Sequence, residues 1–275
     1  MKLICQGFDG FTFQVPNIRK ADVETMTMNS EGEYEKGLLL TPDRTVHGLF
    51  SHLGEVAEVS QLTKKQSRRL AQRRVKGPYY GYFNSDKSIY CVSTELFFEI
   101  QFHGLFFLKY SAFATIAKIF EYLNSHSLSF YISSTDYQLT IRGNRDKFFA
   151  LIWKGCSYSD LFELVPRIKK GQVQHFQSSY SRISVIAYDK KSHLESLSDS
   201  PYQELFKQKY TDDFNSLFRV EFRLHYADKN EELTDVLKEQ INEDKLKEIL
   251  FGLVQKQIRF PSQLKKLIAG GRYEK

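Results

Sequence analysis

The 275-residue chain contains three cysteines and one tryptophan, and it has no long apolar run. Cys5, Cys91 and Cys156 are far apart and form no Cys-x-x-Cys pair, which excludes a disulfide framework and zinc ligands at the usual spacing. No apolar stretch approaches the ~20 residues that cross a bilayer, and the opening MKLICQGFDG turns polar too early for a signal peptide. We therefore expect a soluble, cytoplasmic protein whose cysteines are reduced and serve packing.

Several catalytic signatures are also missing. The sequence has no glycine-rich loop that would hold a nucleotide phosphate and no Gly-x-Ser-x-Gly elbow that would present a serine nucleophile. ATP-driven helicase activity is therefore not expected of this chain.

Aromatic and basic residues are abundant instead. Aromatic side chains make up 15% of the chain and hydrophobic ones 41%, which is enough to bury a core. The formal net charge of +6 suits a polyanionic partner. The cluster at 79–82 contains three tyrosines, and such residues either stack on bases or pack in a core.

The positive charge is unevenly distributed, and residues 64–76 form a basic run of seven lysines and arginines without an acid. It is predicted to be helical up to Gly77-Pro78, where the glycine–proline pair ends a helix. A basic run is commonly a solvated face, but the missing acids favour contact with DNA phosphates. The predicted DNA-binding residues are Lys64, Lys65, Arg68, Arg69, Arg73, Arg74 and Lys76.

Period-two alternation predicts strands at 129–142, 183–190 and 218–225, and a strand in 1–15 that follows a turn or bulge at Asp9-Gly10. Further strands are expected in 88–109. Apolar spacing predicts a helix over 111–123, and helical segments are expected in 146–168 and near the C-terminus. Trp153 is expected in the core. These patterns indicate an α+β fold, with helices packed on one face of a sheet whose other face is open.

The polar faces of three strands carry the candidate catalytic groups. Alternation places Tyr188 and Lys190 on one strand, Glu221 and Arg223 on another, and Asp136 on a third. If these strands are neighbours, all five side chains share one surface.

That combination suits phosphodiester chemistry. Two carboxylates can hold Mg²⁺ or Mn²⁺, and a tyrosine can attack phosphorus to form a covalent intermediate. Lys190 and Arg223 could neutralise the transition state. The simpler interpretation is that Glu221, between Arg219 and Arg223, belongs to an ordinary cross-strand ion network.

Four pieces of sequence resemble the plasmid and phage rolling-circle replication initiators, including the filamentous-phage replication proteins. They are GFDGFTF near the N-terminus, ISSTDYQLTI, ISVIAYDKKSHLE and FRVEFRL. Each motif is short, and their order and spacing carry the resemblance, which spans most of residues 5–225.

The resemblance implies a central antiparallel sheet and a metal-dependent DNA nicking–joining endonuclease. Tyr188 would attack a single-stranded or hairpin origin, with Asp136, Glu221 and Glu195 at the metal. It also implies recruitment of a host helicase and polymerase in a bacterial cytoplasm, and it allows a homodimer. We assign this domain to residues 1–228 and a helical extension to 229–275.

The sequence departs from the family pattern at two places. Ser134-Thr135 stand where the family often has an arginine before the strand aspartate. The altered segment before Tyr188 leaves Tyr180 as a rival nucleophile. There is no His-hydrophobe-His pair, so the histidine-ligated type of such nucleases is not supported. A catalytically inactive DNA-binding or regulatory relative and an unrelated protein-interaction module stay open as alternatives.

Overall fold

The computed structural model describes fourteen ranges and two single residues of the chain. These are 1–16, 26–28, 34–36, 42–60, 80–94, 97–109, 112–126, 128–157, 163–164, 167–168, 172–177, 183–197, 200–225 and 262–268, with residues 245 and 248. The chain divides into two compact units. Unit 1 comprises residues 1–11, 102–113 and 132–275, and unit 2 comprises residues 12–101 and 114–131.

Single helices and pairs of helices interrupt the succession of strands along the chain. The strands are β1 (Lys2–Pro16), β2 (Met26–Met28), β3 (Tyr34–Lys36), β4 (Glu58–Ser60), β5 (Tyr80–Phe83), β6 (Ile89–Ser93), β7 (Phe97–Phe102), β8 (Tyr131–Arg142), β9 (Glu163–Leu164), β10 (Arg167–Ile168), β11 (Gln172–Gln177), β12 (Ile183–Asp189) and β13 (Leu217–His225). The helices are α1 (Pro42–His52), α2 (Gly104–Leu108), α3 (Ala112–Ser125), α4 (Arg145–Ser157), α5 (Lys190–Glu195), α6 (Pro201–Lys209) and α7 (Ser262–Ile268).

Strand pairing in unit 1 follows the order β10-β11-β12-β13-β8-β1, and β9 also pairs with β11. The central pairs are antiparallel, with Tyr188 opposite Arg219 and Arg223 opposite Asp136. In unit 2 the order is β1-β7-β6-β5-β4, so β1 contributes to both units. The α+β fold with an antiparallel sheet is therefore confirmed, and the three predicted strands are neighbours.

The apolar face of the unit 1 sheet forms a core because alternate residues of its strands are hydrophobic. Val185, Leu139 and Val220 are fully buried on this face. Phe148 of α4 stacks on Phe218 of β13 with ring centroids 5.3 Å apart. Each such buried side chain contributes about 1.5–3 kcal/mol relative to its exposed state.

The opposite face carries polar residues, yet it is not open as expected. Thr140 is fully buried and Arg219 is 1% exposed. Tyr202 and Phe206 of α6 cover Arg219, whose guanidinium lies 5.9 Å from the Phe206 ring. Arg219, Thr140 and Tyr202 pair with one another here, which offsets the cost of burying these polar groups beneath a helix.

Strand β1 changes face at Asp9-Gly10. The rings of Phe8 and Phe11 are 4.7 Å apart on the core side, although regular alternation puts residues three apart on opposite faces. Both intervening residues turn to the polar face, since Asp9 pairs with Arg219 and a Cβ at Gly10 would lie 3.1 Å from the Asp136 carboxylate. The expected irregularity is therefore a bulge within β1 and not a turn before it.

Unit 2 packs helices on its strands through aromatic rings. Ile116, Phe120 and Leu123 of α3 are buried, as the predicted helical spacing requires. Phe120 contacts Phe13 of β1 at 5.1 Å and stacks on Phe130 at 4.6 Å.

Several local predictions are wrong. Trp153 is 44% exposed because it lies on the outer side of α4, not in the core. Phe106 and Phe107 lie in α2, after the strands of the 88–109 segment. Lys190 begins α5 and does not continue β12, because the Asp189 side chain accepts a hydrogen bond from the Ser192 amide and starts the helix.

Some predictions lie wholly or largely outside the described residues. They include the basic run 64–76, Tyr180, and most of the C-terminal extension, so the division at 228 stays a prediction. All three cysteines are free and buried, as expected. Among the described helices, none combines the length and apolar character needed to span a membrane.

Candidate active site

A cleft of about 550 Å³ opens in unit 1 where β12 and β13 meet the residues around α2 and α6. Its walls combine acids, phenols, imidazoles and aliphatic groups. The lining residues are Asp9, Glu221, Tyr188, Tyr202, His103, His193, Gly104, Leu105, Ile186 and Leu197.

Tyr188 and Glu221 form the shortest phenol–carboxylate contact of the cleft. The Tyr188 hydroxyl donates a hydrogen bond of 2.6 Å to Glu221 Oε1 across the β12–β13 pair. Burial raises the pKa of Tyr188 well above its usual value, and Glu221 adds to the rise, so the resting phenol keeps its proton. Burial and the nearby Asp9 raise the pKa of Glu221. A carboxylate in this position can accept the phenolic proton.

Arg219 connects the buried charges of the site. Its Nη1 donates to both Asp9 oxygens, at 3.1 and 3.2 Å, and to the Tyr202 hydroxyl at 3.1 Å. Its Nε donates to Thr140 Oγ1 at 3.0 Å, and its Nη1 lies 3.9 Å from Glu221 Oε1. Burial opposes ionisation of Asp9, but the charges of Arg219 and Lys190 and the hydrogen bond from Arg219 together lower the Asp9 pKa. Arg219 is thus a structural cation that fixes the acids.

Lys190 lies beneath the cleft and has no exposed surface. Its Nζ donates to the Tyr202 hydroxyl at 3.0 Å, contacts His193 Nδ1 at 3.1 Å, and lies 4.7 Å from the Tyr202 ring centroid. Burial, reinforced by Arg219, lowers the Lys190 pKa to about 7. In this position the amine reaches Tyr202 and His193 and does not reach solvent.

Asp136 and Arg223 pair with each other on adjacent strands. Arg223 Nε donates to both Asp136 oxygens at 2.8 and 2.9 Å, and Nη2 donates to Oδ2 at 2.6 Å. This bidentate pair is the strongest geometry for an arginine and a carboxylate. Gly10 of β1 leaves the space that the Asp136 side chain occupies.

Glu195 lies apart from the other predicted metal ligands. Its side chain is 57% exposed on α5 and lies 3.8 Å from Lys191. Among the three predicted metal acids, Glu221 is the one that lines the cleft. Within the described ranges, no group of three acids, histidines or cysteines is arranged to hold a metal ion.

Four residues of the site were not singled out from the sequence. Asp9 lies within GFDGFTF, one of the motifs that carry the resemblance, so that motif was a usable signal. His193 likewise lies within ISVIAYDKKSHLE. His103 and Tyr202 had no such signal, because they precede α2 and lie in α6, outside all four motifs. Burial lowers the pKa of His193 to about 4 and lowers that of His103, so both imidazoles are neutral at neutral pH.

The fold has a counterpart among solved structures. No protein-family model matches the chain, and no curated protein matches it. The structure of a rolling circle replication initiator protein from Geobacillus stearothermophilus matches with a TM-score of 0.50 and 13% sequence identity. The match covers 93% of this chain and 86% of that chain. At this identity the likeness shows a shared fold.

Proposed function

We propose that the protein is a replication initiator that nicks one strand of an origin DNA by tyrosine transesterification and so starts rolling-circle replication. The observation that carries the proposal is the 2.6 Å hydrogen bond from Tyr188 to Glu221 at the cleft. The fold shared with a rolling circle replication initiator supports it.

The cleavage step uses Tyr188 as nucleophile. Its phenolic oxygen forms a bond to phosphorus while the bond from phosphorus to the leaving strand's oxygen breaks. The phenolic proton passes to Glu221, and the leaving oxygen takes a proton from solvent. The phosphotyrosine conserves the bond energy, so the reverse attack by a DNA hydroxyl rejoins the strand.

The buried cations, Arg219 and Lys190, act on the carboxylates and on the phenol that take part in this step. Arg219, 3.9 Å from Glu221 and paired with Asp9, keeps both carboxylates oriented. Lys190 lies 5.8 Å from the Tyr188 ring, where its charge would stabilise a developing phenolate. Arg223 is 33% exposed on the same sheet face and can contact a DNA phosphate while it holds Asp136.

A divalent cation is part of the proposal. Asp9 and Glu221 supply carboxylate oxygens at the cleft, and two carboxylates completed by water and a substrate phosphate can hold Mg²⁺ or Mn²⁺ although the described residues offer no group of three ligands. Bound there, the cation would offset the negative charge of the phosphodiester and polarise it. Asp136 and Glu195 do not line the cleft, and they pair with Arg223 and Lys191.

The test is a covalent adduct. The purified protein is incubated with Mn²⁺ or Mg²⁺ and single-stranded or hairpin oligonucleotides from the DNA around its gene. We expect a denaturation-resistant protein–DNA adduct that Tyr188→Phe abolishes and that the matched Tyr180→Phe variant retains. The tryptic peptide ISVIAYDK should then carry the nucleotide. Glu221→Gln should slow adduct formation by about 10²–10⁴-fold.

A catalytically inactive DNA-binding protein on the same scaffold is the second candidate. The bidentate Asp136–Arg223 pair favours it, because Asp136 is already neutralised by a protein cation. DNA binding without an adduct under any divalent metal would support this candidate and refute the nuclease. If the protein is a nuclease of this kind, we expect the host to supply the helicase, since no ATP-binding motif occurs in the sequence. The host would supply the polymerase as well.

A further inference from the structure

The walls of the cleft are unsuited to a bare phosphate. Among the described residues that line it there is no lysine or arginine, while Asp9 and Glu221 contribute two acids. The cationic groups nearest to them, Arg219 and Lys190, are buried below the surface. An anion that entered by itself would therefore meet carboxylates without an exposed positive partner.

The same walls suit a flat, neutral ring. Leu105, Ile186 and Leu197 are half-buried aliphatic side chains, so each presents apolar surface to the cleft. The imidazole of His193 packs edge-on to the rings of Tyr188 and Tyr202, with centroids 5.6 and 6.3 Å away. Apolar walls with aromatic edges and a few polar groups are the usual features of small-molecule pockets of this volume.

We propose that the cleft binds one unstacked nucleobase of single-stranded DNA beside the phosphate that Tyr188 attacks. The base fills the apolar part between Leu105 and Leu197, and its phosphate stays at the rim near the Tyr188 hydroxyl. The identity of the neighbouring phosphate rests on the proposed nicking function, whereas binding of the base does not.

This assignment has a consequence for the substrate. A base inside a duplex is stacked and paired, so it would have to leave the helix, at a cost of a few kcal/mol, before entering the cleft. In single strands and hairpin loops the bases are already unpaired, so most of this cost does not arise. The cleft thus selects single-stranded DNA through a base and not through its phosphates.

The experiment uses a short strand of abasic sugar–phosphate units that carries a single base, 2-aminopurine, with the full-length protein in a chelator so that no nicking occurs. Stacking against protein rings quenches 2-aminopurine fluorescence, and we expect saturable quenching. Replacing that base by an abasic site should weaken binding about tenfold, the lower range for loss of one stacked base. Leu105→Ala and Leu197→Ala should each raise the Kd roughly threefold.

The matched control is Val59→Ala, which shortens an exposed aliphatic side chain in unit 2 and should leave quenching unchanged. The proposal is overturned if the abasic oligonucleotide binds as tightly as its parent, or if Leu105→Ala and Leu197→Ala quench as the unaltered protein does. Because no metal is present, these outcomes are independent of adduct formation, and failure of one proposal is distinguishable from failure of the other.

Discussion

Lys190 shows how a single residue can depart from its sequence pattern. It follows β12 in alternation, but Asp189 caps a helix there and turns the amine beneath Tyr202. Its charged form is stabilised by Asp9 and Glu221 and opposed by burial and by Arg219, and the result is a pKa of about 7. A buried lysine with such a pKa couples folding to pH in the neutral range.

We expect Lys190 to make stability rise with pH. Its pKa falls from 10.5 to about 7 on folding, so between these values the unfolded chain binds more protons than the native one. The free energy of unfolding should therefore increase above about pH 7, by about 1 kcal/mol per pH unit at its steepest. Lys190→Met should remove this part of the slope. The measurement is urea denaturation of both proteins from about pH 7 to about pH 10.

The neighbouring lysine provides the control for this experiment. Lys191 is 40% exposed, and Lys191→Met should keep the slope of the unaltered protein. If the stability of Lys190→Met and of the unaltered protein changes equally with pH, the pKa of Lys190 does not fall on folding.

At this scale the sequence predicted part of the candidate site. Alternation within β12 and β13 placed Tyr188 and Glu221 on one face, and they do hydrogen-bond. It could not find His193 or Tyr202, because each comes from a helix whose position depends on packing and not on strand period. It also could not show that Asp136 would be held by Arg223, since that depends on register.

At the scale of elements, β1 places Asp9 beside Arg219 and leaves space for Asp136 of β8. Its bulge turns Asp9 toward Arg219, and the missing side chain of Gly10 leaves room for the Asp136 carboxylate. Three strand predictions came close to the observed bounds because one face of each strand is continuously apolar. For β1 the sequence predicted either a turn or a bulge at Asp9-Gly10. It could not distinguish them, because one extra residue in a strand changes the alternation of hydrophobic residues only locally.

We expect Gly10→Ala to destabilise unit 1 by disturbing the Asp136–Arg223 pair. The new Cβ would lie 3.1 Å from Asp136 Oδ2 and 3.3 Å from its Cβ, so the aspartate must move by a few tenths of an ångström, which disturbs its contacts with Arg223. The free energy of unfolding should fall by about 1–2 kcal/mol, measured by urea denaturation. Lys2→Ala, at an exposed position of the same strand, should change it by less than about 0.5 kcal/mol. Equal stability of the two variants would mean that Gly10 is not required for this contact.

At the scale of the whole molecule, charge and chemistry are separated along the chain. The cleft displays acids, phenols and neutral imidazoles, so it offers little attraction to a DNA backbone. The net charge of +6 arises elsewhere, and the densest part of it is the acid-free run at 64–76. If the proposed nicking function is correct, the basic run would supply affinity through phosphate contacts and the cleft would select the position of cleavage.

We expect the basic run to set the salt dependence of DNA binding. Each phosphate contact with single-stranded DNA contributes about 0.7 to the slope of log affinity against log salt concentration. Lys64→Gln combined with Lys65→Gln should therefore make the slope shallower by about 1.4 if both lysines contact phosphates. Fluorescence anisotropy of a labelled oligonucleotide over a salt series measures it.

The charge-matched control removes two exposed helical lysines from outside the run, by Lys118→Gln combined with Lys147→Gln. This control lowers the net charge by the same amount as the basic-run variant. A difference between the two variants therefore reports phosphate contacts and not the overall charge. A shallower slope in the basic-run variant alone would establish a phosphate-binding segment. The same small change in both variants would assign the run to an ordinary solvated face, since only the net charge would then matter.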